Sequence, residues 1–192
     1  MARILECADL AAMGHGIELL GSGGGGSGWM LQLGLAYADV WPITLHDVAE
    51  VDPSTPCMAV AFAGSTMLIS ERLPDQAPFA PAIAAIERWL GYPVPAVCSL
   101  EIGGMNGLAA LPLTRERTVV DADLMGRALP DFDQLSIMVD ALPHLVVATP
   151  TGGGGVSLVE NARPDAVAGR TWLRGCAMAA RRRARPAGGA TH

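Results

Sequence analysis

Two short segments of the chain combine carboxylates with glycines in a way that suits acid–base chemistry. The first is EIGGMN at 101–106, in which Glu101 follows a strongly apolar stretch and Asn106 comes five residues later. In α/β sheets, ligands bind beyond the carboxyl ends of the strands, where this segment is expected to lie. Glu101 is therefore a candidate general base or metal ligand, and Asn106 a candidate donor to an oxyanion. The structural alternative is that Glu101 caps a turn and Asn106 caps a helix.

The second segment is DADLMGR at 121–127. Asp121 and Asp123 are two residues apart, so in extended geometry both carboxylates point the same way. They then repel each other unless a metal, a proton or Arg127 intervenes. Arg127 lies four residues beyond Asp123, within reach if the segment is helical. Asp121 and Asp123 are candidate catalytic carboxylates and Arg127 is a candidate substrate ligand, with a salt-bridged structural turn as the alternative.

A glycine-rich segment, GSGGGGSG at 21–28, is the third candidate. It satisfies the dinucleotide-binding pattern GxGxxG, but it follows a predicted helix rather than a strand, so the structural context of that motif is absent. Glycines adopt positive φ readily, and successive backbone N–H groups can converge on an anion near the helix predicted to begin at Trp29. Gly23, Gly24 and Gly25 are therefore candidates for binding a substrate carboxylate. A packed helix–helix corner that binds nothing is the alternative.

Composition limits the classes of function. The chain has 192 residues, of which 51% are hydrophobic and 17% charged, which suits one folded domain with a substantial core. All 13 basic residues are arginine, which excludes a Walker-A lysine, a lysine Schiff base and a Ser–Lys pair. Residues 1–162 hold 18 acidic groups and 6 arginines, a formal charge of −12. This acidic body argues against nucleic-acid binding.

The other residues that could carry chemistry form no recognised pattern. The four cysteines are far apart with no CxxC, which predicts free thiols. No HExxH, HxH or GxSxG occurs, so the sequence defines neither a metal nor a cofactor. Glu6 and Asp9 interrupt the apolar N-terminal stretch, and no run approaches the roughly 20 apolar residues of a membrane span. We therefore expect a cytoplasmic protein that binds no membrane.

Periodicity predicts the elements that position the candidate segments. Helices are predicted at 8–20, 29–40 and 76–90. Strands are predicted at 43–47, 57–70, 95–102 and 118–120, followed by a hairpin-like pair at 145–148 and 156–160. Strands that alternate with helices favour an α/β layered domain with a mixed sheet and packed helices.

The character of the chain changes after Asn161. Residues 163–192 hold seven arginines against one acidic residue, and they predict a helix from Pro164 to about Ala180 followed by a disordered basic tail. The predicted domains are therefore 1–162 and 163–192. The alternative is a truncated or frame-shifted chain, because a GC-rich gene read out of frame yields such arginine- and alanine-rich stretches.

The candidate segments resemble those of a known family. LLGSGGGG at 19–26, EIGGMN at 101–106 and DADLMGRALP at 121–130 follow one another as in the N-terminal domain of the S-methyl-thiohydantoin desulfurase family. Residues 65–73 also fit the middle segment of that family, and the similarity covers about residues 5–160.

The resemblance implies an α/β domain, which in the family is followed by a C-terminal domain that we expect to be missing here. It also implies hydrolysis of hydantoin-like rings, in which water replaces the methylthio group of an S-methyl thiohydantoin. We therefore expect a hydrolase-like domain that acts on small hydantoin or S-methyl-thiohydantoin rings and is incomplete alone. The alternatives are a non-catalytic partner or fragment that associates with itself or with a hydantoinase-type chain, and a degraded gene product.

Overall fold

A single mixed sheet organises the protein. The computed structural model describes residues 1–64, 77–141, 145–151, 154–160 and 174–180. Its strands are β1 (Arg3–Leu5), β2 (Ile43–Asp47), β3 (Cys57–Ala63), β4 (Ala96–Ser99), β5 (Thr118–Asp121), β6 (Leu145–Pro150), β7 (Val156–Glu160) and β8 (Arg174–Ala180). In the described part of the chain they form one eight-stranded sheet in the order β1-β2-β5-β4-β3-β8-β6-β7.

Helices join and cover these strands. The α-helices are α1 (Leu10–Gly21), α2 (Trp29–Tyr37), α3 (Ala80–Leu90) and α4 (Ser136–Val139). Short 3-10 helices lie at Cys7–Asp9, Val48–Glu50, Gly104–Leu108, Leu111–Arg115 and Phe132–Gln134. The predicted α/β class with a mixed sheet and packed helices is confirmed. None of the helices in the described residues has both the length and the apolar content needed to cross a bilayer.

Four neighbouring strands, β2, β5, β4 and β3, run parallel to one another. Strand β1 is antiparallel to β2, and β8, β6 and β7 continue the sheet with antiparallel pairing on the other side. The carboxyl ends of the four parallel strands therefore share one edge. At that edge β2 ends at Asp47 beside Asp121 of β5, and β4 ends at Ser99, two residues before Glu101. The strand order thus places predicted site residues on a common edge, where α/β sheets bind ligands.

The two faces of the sheet have separate apolar clusters, because successive side chains of a strand point to opposite sides. Val60 of β3 and Val97 of β4 pack on the side covered by α1, α2 and α3. Ala61 and Cys98, their neighbours along the same strands, pack on the other side against the segment 124–138. The centre of the sheet is therefore covered on both faces.

Helix α3 shows how the sequence specifies one of these layers. Its buried residues Ile83, Ile86 and Leu90 recur at helical spacing, so one face of the helix meets the sheet. Burial of each such side chain stabilises the fold by roughly 1.5–3 kcal/mol. The helix ends at Leu90, and the following Gly91 has a left-handed backbone and donates its N–H to the Glu87 carbonyl.

The helix predicted from Pro164 to about Ala180 is wrong for residues 174–180, which form strand β8. Alanine, arginine and methionine favour helices locally. This segment nevertheless pairs with the edge of β3 on one of its sides and with the edge of β6 on the other. Tertiary pairing has overridden local propensity. Residues 164–173 and the predicted disordered tail lie outside the described residues. The domain boundary at 162 remains a prediction, although β8 shares the sheet with strands that precede it.

Candidate active site

Three segments that are far apart in the sequence meet beyond the edge of the parallel strands. The carbonyls of Gly25 and Gly26 accept the Met105 N–H at 3.1 and 3.2 Å. The Leu20 carbonyl accepts the Ala128 N–H at 3.4 Å. The glycine-rich loop therefore contacts the segment after β4, and the end of α1 that leads into the loop contacts the segment after β5. The fold brings all three candidate motifs into one place.

The glycines at this junction permit backbones to touch. A Cβ atom at Gly25 would lie 2.6 Å from the Gly103 carbonyl oxygen, and one at Gly21 would lie 2.9 Å from the Gly104 nitrogen. This close packing matches the corner described as the alternative to anion binding. Gly23 differs, because it is exposed with φ +87° and a Cβ there would meet no atom within 4 Å. Of the three predicted substrate-binding glycines, Gly23 is the one most open to a ligand.

Glu101 and Asn106 form a buried hydrogen-bonded pair, with only 7% and 3% of their surfaces exposed. Asn106 Nδ2 donates to Glu101 Oε1 at 2.7 Å and to the Phe62 carbonyl at 3.0 Å. Asn106 Oδ1 accepts the Phe62 N–H at 2.6 Å. An amide nitrogen carries two hydrogens, and both are used here. Asn106 therefore holds β3 to Glu101 in this structure, and it caps no helix.

Burial raises the pKa of Glu101. The negative charge of Asp123 acts in the same direction, while hydrogen bonds from the Asn106 amide and the Leu129 backbone N–H oppose it. A buried carboxyl beside a second carboxylate favours the neutral form, which is a pattern that acid–base sites use. The direction of this shift is that of a carboxyl that keeps its proton to a higher pH than an exposed glutamate does.

Asp123 is half-buried and closes a turn with its own backbone neighbours. Its Oδ2 accepts the Met125 N–H at 3.1 Å and also the Gly126 N–H. The Ala122 N–H bonds to the Val120 carbonyl at 2.9 Å, so the chain turns between the two predicted catalytic aspartates. The extended geometry expected for Asp121 and Asp123 is therefore absent. The oxygen Oδ1 of Asp123 accepts no hydrogen bond from the described residues, which leaves it available to a ligand.

Asp121 lies apart from this cluster. It is exposed, and its carboxylate pairs with Arg3 of β1 at 3.5 Å. It pairs in register with Asp47 at the end of β2, whereas the Leu124 N–H joins the Asp123 segment to the Leu100 carbonyl at 3.0 Å. The segment of Asp123 is therefore bonded to the segment of Glu101, whereas Asp121 is exposed to solvent. The catalytic role of Asp121 remains a prediction with no geometric support.

Arg127 is exposed beside the turn. Gly126, with φ +74°, prevents the helical path that would carry Arg127 back to Asp123. Within the described residues Arg127 forms no ion pair, so its guanidinium is accessible to an anionic group of a substrate.

A shallow cleft of about 390 Å³ adjoins Asp123. Its other walls are Leu124, Met125, Gly126, Gln134, Ser136, Val139 and Asp140. A larger groove of about 470 Å³ lies near Pro95 and Thr118, at the amino ends of β4 and β5, and none of the predicted site residues lines it. The cleft at Asp123 is the better candidate because it is lined by a predicted site residue whose charge acts on the buried carboxyl of Glu101.

Several residues that shape this region were not among the predicted site residues. Phe62 and Leu129 act through backbone groups, which leave no signal in side-chain identity. Gln134 and Ser136 line the cleft from a segment for which no element was predicted. In the described residues no group of three or more histidine, cysteine or acidic side chains is placed to hold a metal ion.

Replacing Glu101 with glutamine is expected to change stability in a pH-dependent way. A raised pKa in the folded state means that stability falls as the pH rises from the ordinary glutamate range through the folded pKa. Glutamine cannot ionise, so the difference in free energy of unfolding, variant minus wild type, should shift in favour of the variant between pH 4.5 and pH 8. Urea denaturation at both pH values measures it. Glu116→Gln, at an exposed position, is the control, and an equal shift in both variants contradicts a buried, proton-holding Glu101.

The fold and the site define an α/β domain in which a buried carboxyl–amide pair and a second carboxylate lie beyond the parallel strands. The model of the family described as S-Me-THD-like, N-terminal domain, matches residues 8–161. The chain belongs to this family, as the sequence motifs predicted. No curated protein matches the chain.

A solved structure shares the fold. It is an X-ray crystal structure described as a protein from Chromobacterium violaceum, with a TM-score of 0.67 and 23% sequence identity. The match covers 92% of this chain and 54% of that protein. This chain therefore spans about half the length of its structural neighbour.

Proposed function

We propose that this domain provides the acid–base part of a hydrolase site that acts on S-methyl-thiohydantoin or hydantoin rings. The observation that carries the proposal is the position of Asp123, which lines the open cleft and also acts on the buried carboxyl of Glu101. A buried carboxyl with a raised pKa beside a second, more accessible carboxylate is a common arrangement for acid–base catalysis. Membership of the family supports a ring of this class as the substrate.

The proposed reaction needs one base and one proton donor. Asp123 takes a proton from water as the water oxygen attacks the ring carbon that bears the methylthio group. The C–O bond forms, and then the C–S bond breaks and methanethiolate leaves. The protonated Asp123 returns its proton to the sulfur, while the hydroxyl proton moves to the ring nitrogen. The products are methanethiol and the hydantoin.

Glu101 acts in this scheme as a positioning residue. Because its pKa is raised, Glu101 carries a second negative charge beside Asp123 over a narrower pH range than an exposed glutamate would. Asn106 fixes Glu101 by a 2.7 Å hydrogen bond. Arg127 and the backbone of Gly23 are proposed to bind an anionic group of the substrate, because both residues are exposed beside the glycine junction. The neighbouring N–H groups of Ser22 and Gly24 already donate to the carbonyls of Glu18 and Gly21.

The proposal is tested by thermal denaturation of the chain with and without an S-methyl thiohydantoin that carries a carboxylate side chain. A ligand at 100 times its Kd stabilises the folded state by about 2.7 kcal/mol, which should raise the Tm by several degrees. The matching hydantoin is the product control, and methanethiol release followed by NMR reports turnover. A cooperative melt that the compound does not shift contradicts substrate binding by this domain.

A second function, that of a domain completed by a partner, is favoured by an apolar stripe on α2. Trp29, Leu33 and Tyr37 lie at i, i+4 and i+8, and 57%, 50% and 86% of their surfaces are exposed. Large exposed apolar groups along one helix mark interaction surfaces. The stripe begins directly after the glycine-rich loop, so a partner docked there would also border the site. The partner is proposed to be a second copy or a hydantoinase-type chain.

The same melting experiment separates the two functions. A partner-dependent domain should show a broad transition that is indifferent to the ring compound. A cooperative, ligand-shifted transition favours the first function, because the domain then carries enough of the site by itself. A cytoplasmic location and the absence of nucleic-acid and membrane partners remain predictions.

A further inference from the structure

The groove of about 470 Å³ lies at the amino ends of β4 and β5, whereas the candidate active site lies beyond their carboxyl ends. Pro95, which directly precedes β4, and Thr118, which begins β5, form part of its wall, together with Thr44 of β2. Cavities of about 300–1,000 Å³ are large enough to hold a small molecule. The proposed hydrolase reaction uses none of these residues, so the groove is a separate candidate for a binding site.

Arg117 lines this groove and is held in place through one of its three guanidinium nitrogens. Nη1 donates to Glu87 Oε1 at 2.8 Å and also to the Val94 carbonyl. The Val94 N–H donates to the same Glu87 oxygen at 2.9 Å. Only 15% of the Arg117 side chain is exposed. The guanidinium is therefore fixed by α3 and by the segment that precedes β4.

The other two nitrogens of the Arg117 guanidinium have no acceptor among the described residues. Nε is buried, and none of these residues accepts a hydrogen bond from it. Nη2 likewise donates to none of them, but it is not enclosed as Nε is. Buried donors without an acceptor are rare in proteins, because nothing compensates the loss of their hydration. An oxygen of a ligand bound at this edge of the guanidinium would compensate it.

We propose that this groove binds small monocarboxylates and that Arg117 is the residue that binds the carboxylate group. The N–H groups of Nε and Nη2 point the same way from the planar guanidinium, and they match the two oxygens of a carboxylate. Three threonines, Thr44, Thr114 and Thr118, line the same groove, and their hydroxyls can hydrogen-bond to further polar atoms of the ligand. Pro42 adds apolar surface, which suits a ligand with an uncharged body.

The charges around the groove favour a ligand with a single negative charge. Arg115 and Arg117 both line the groove, but Asp39 lies 3.3 Å from Arg115 and Glu87 lies 2.8 Å from Arg117. Glu116, which is exposed, also lines it. Each arginine is therefore partly neutralised, and the acidic side chains repel a dianion more strongly than a monoanion. We therefore expect the groove to prefer a carboxylate to a phosphate.

The test titrates the full chain with sodium benzoate at constant ionic strength and follows the Nε–H signal of Arg117 by NMR. A buried N–H exchanges slowly with water, so this signal should be observable at neutral pH. Benzoate should shift it in a saturable way, whereas benzamide, which has the same ring but no charge, should not. Inorganic phosphate should bind at least about tenfold more weakly than benzoate. The measurement on the wild-type chain needs no variant and does not depend on the proposed hydrolase reaction.

Arg117→Lys keeps the positive charge but removes the planar pair of donors. It should weaken benzoate binding at least about tenfold, as read from the backbone N–H signal of Thr118. Arg127→Lys is the matched control, and it should leave the affinity within about twofold of the wild type, because Arg127 lies beside the candidate active site instead. A response to benzoate that does not saturate, equal binding of benzamide, tighter binding of phosphate, an unchanged affinity in Arg117→Lys or an equal loss in Arg127→Lys would each overturn the proposal.

Discussion

A single methyl group added at Gly104 is expected to lower the free energy of unfolding by about 3 kcal/mol or more. Gly104 has φ +62°, a left-handed conformation that costs an alanine roughly 1–2 kcal/mol. A Cβ there would also lie 2.5 Å from the carbonyl carbon of Gly25 and 2.6 Å from its oxygen. These are backbone atoms, and the Gly25 carbonyl is held by Met105 N–H at 3.1 Å. Overpacking of this kind adds about 1–3 kcal/mol, since no side chain can move aside.

The matched control for Gly104→Ala is Gly16→Ala. Gly16 lies on the exposed side of α1, and a Cβ there would meet no atom within 4 Å. Alanine is the better helix former by up to about 1 kcal/mol, so this variant should be slightly more stable than the wild type. Urea denaturation of both variants measures the difference. A Gly104→Ala variant within about 1 kcal/mol of the wild type would mean that the contact with Gly25 opens at little cost.

Much of the fold could be predicted because its elements have strong local patterns. The apolar run of β4, the helical spacing in α1 and α3 and the stop at Gly91 are all properties of neighbouring residues. Helix α2 ends at Tyr37, earlier than the predicted 40, because Ala38 is extended. Strand β8 could not be predicted, because its conformation depends on two partners far away in the chain.

The sequence predicted which residues belong to the site, but it did not predict how they are arranged. Glu101, Asp123 and the glycine-rich loop stood out by residue type, and the strand order explains why they meet. Their roles depended on contacts that spacing does not encode. Asn106 is bound to the backbone of Phe62, 44 positions earlier in the chain, and the turn after Val120 separates Asp121 from Asp123. Residue type indicates which side chains are candidates, and backbone hydrogen bonds determine which of them are accessible to a ligand.

Asp123→Asn is expected to reduce turnover of an S-methyl thiohydantoin by at least about 100-fold, if the proposed reaction is the one the domain performs. Removal of a general base typically costs a factor of about 10² to 10⁴. Asparagine keeps an oxygen that can accept the Met125 and Gly126 N–H groups, so the turn should survive. The ligand-induced rise in Tm should therefore remain while methanethiol release falls. A loss of both would indicate a binding role for Asp123 instead.

Asp121→Asn is the matched control, because it makes the same chemical change two residues away. Asp121 is exposed and paired with Arg3, and exposed pairs of this kind contribute little to stability. Turnover by the Asp121→Asn variant should stay within about threefold of the wild-type rate, since the carboxylate of Asp121 lies outside the cluster of Asp123 and Glu101. Equal losses in the two variants would contradict the assignment of the base to Asp123 and restore the pair of aspartates as the catalytic unit. Full turnover in both variants would mean that neither aspartate is the base, and Glu101 would be the remaining candidate.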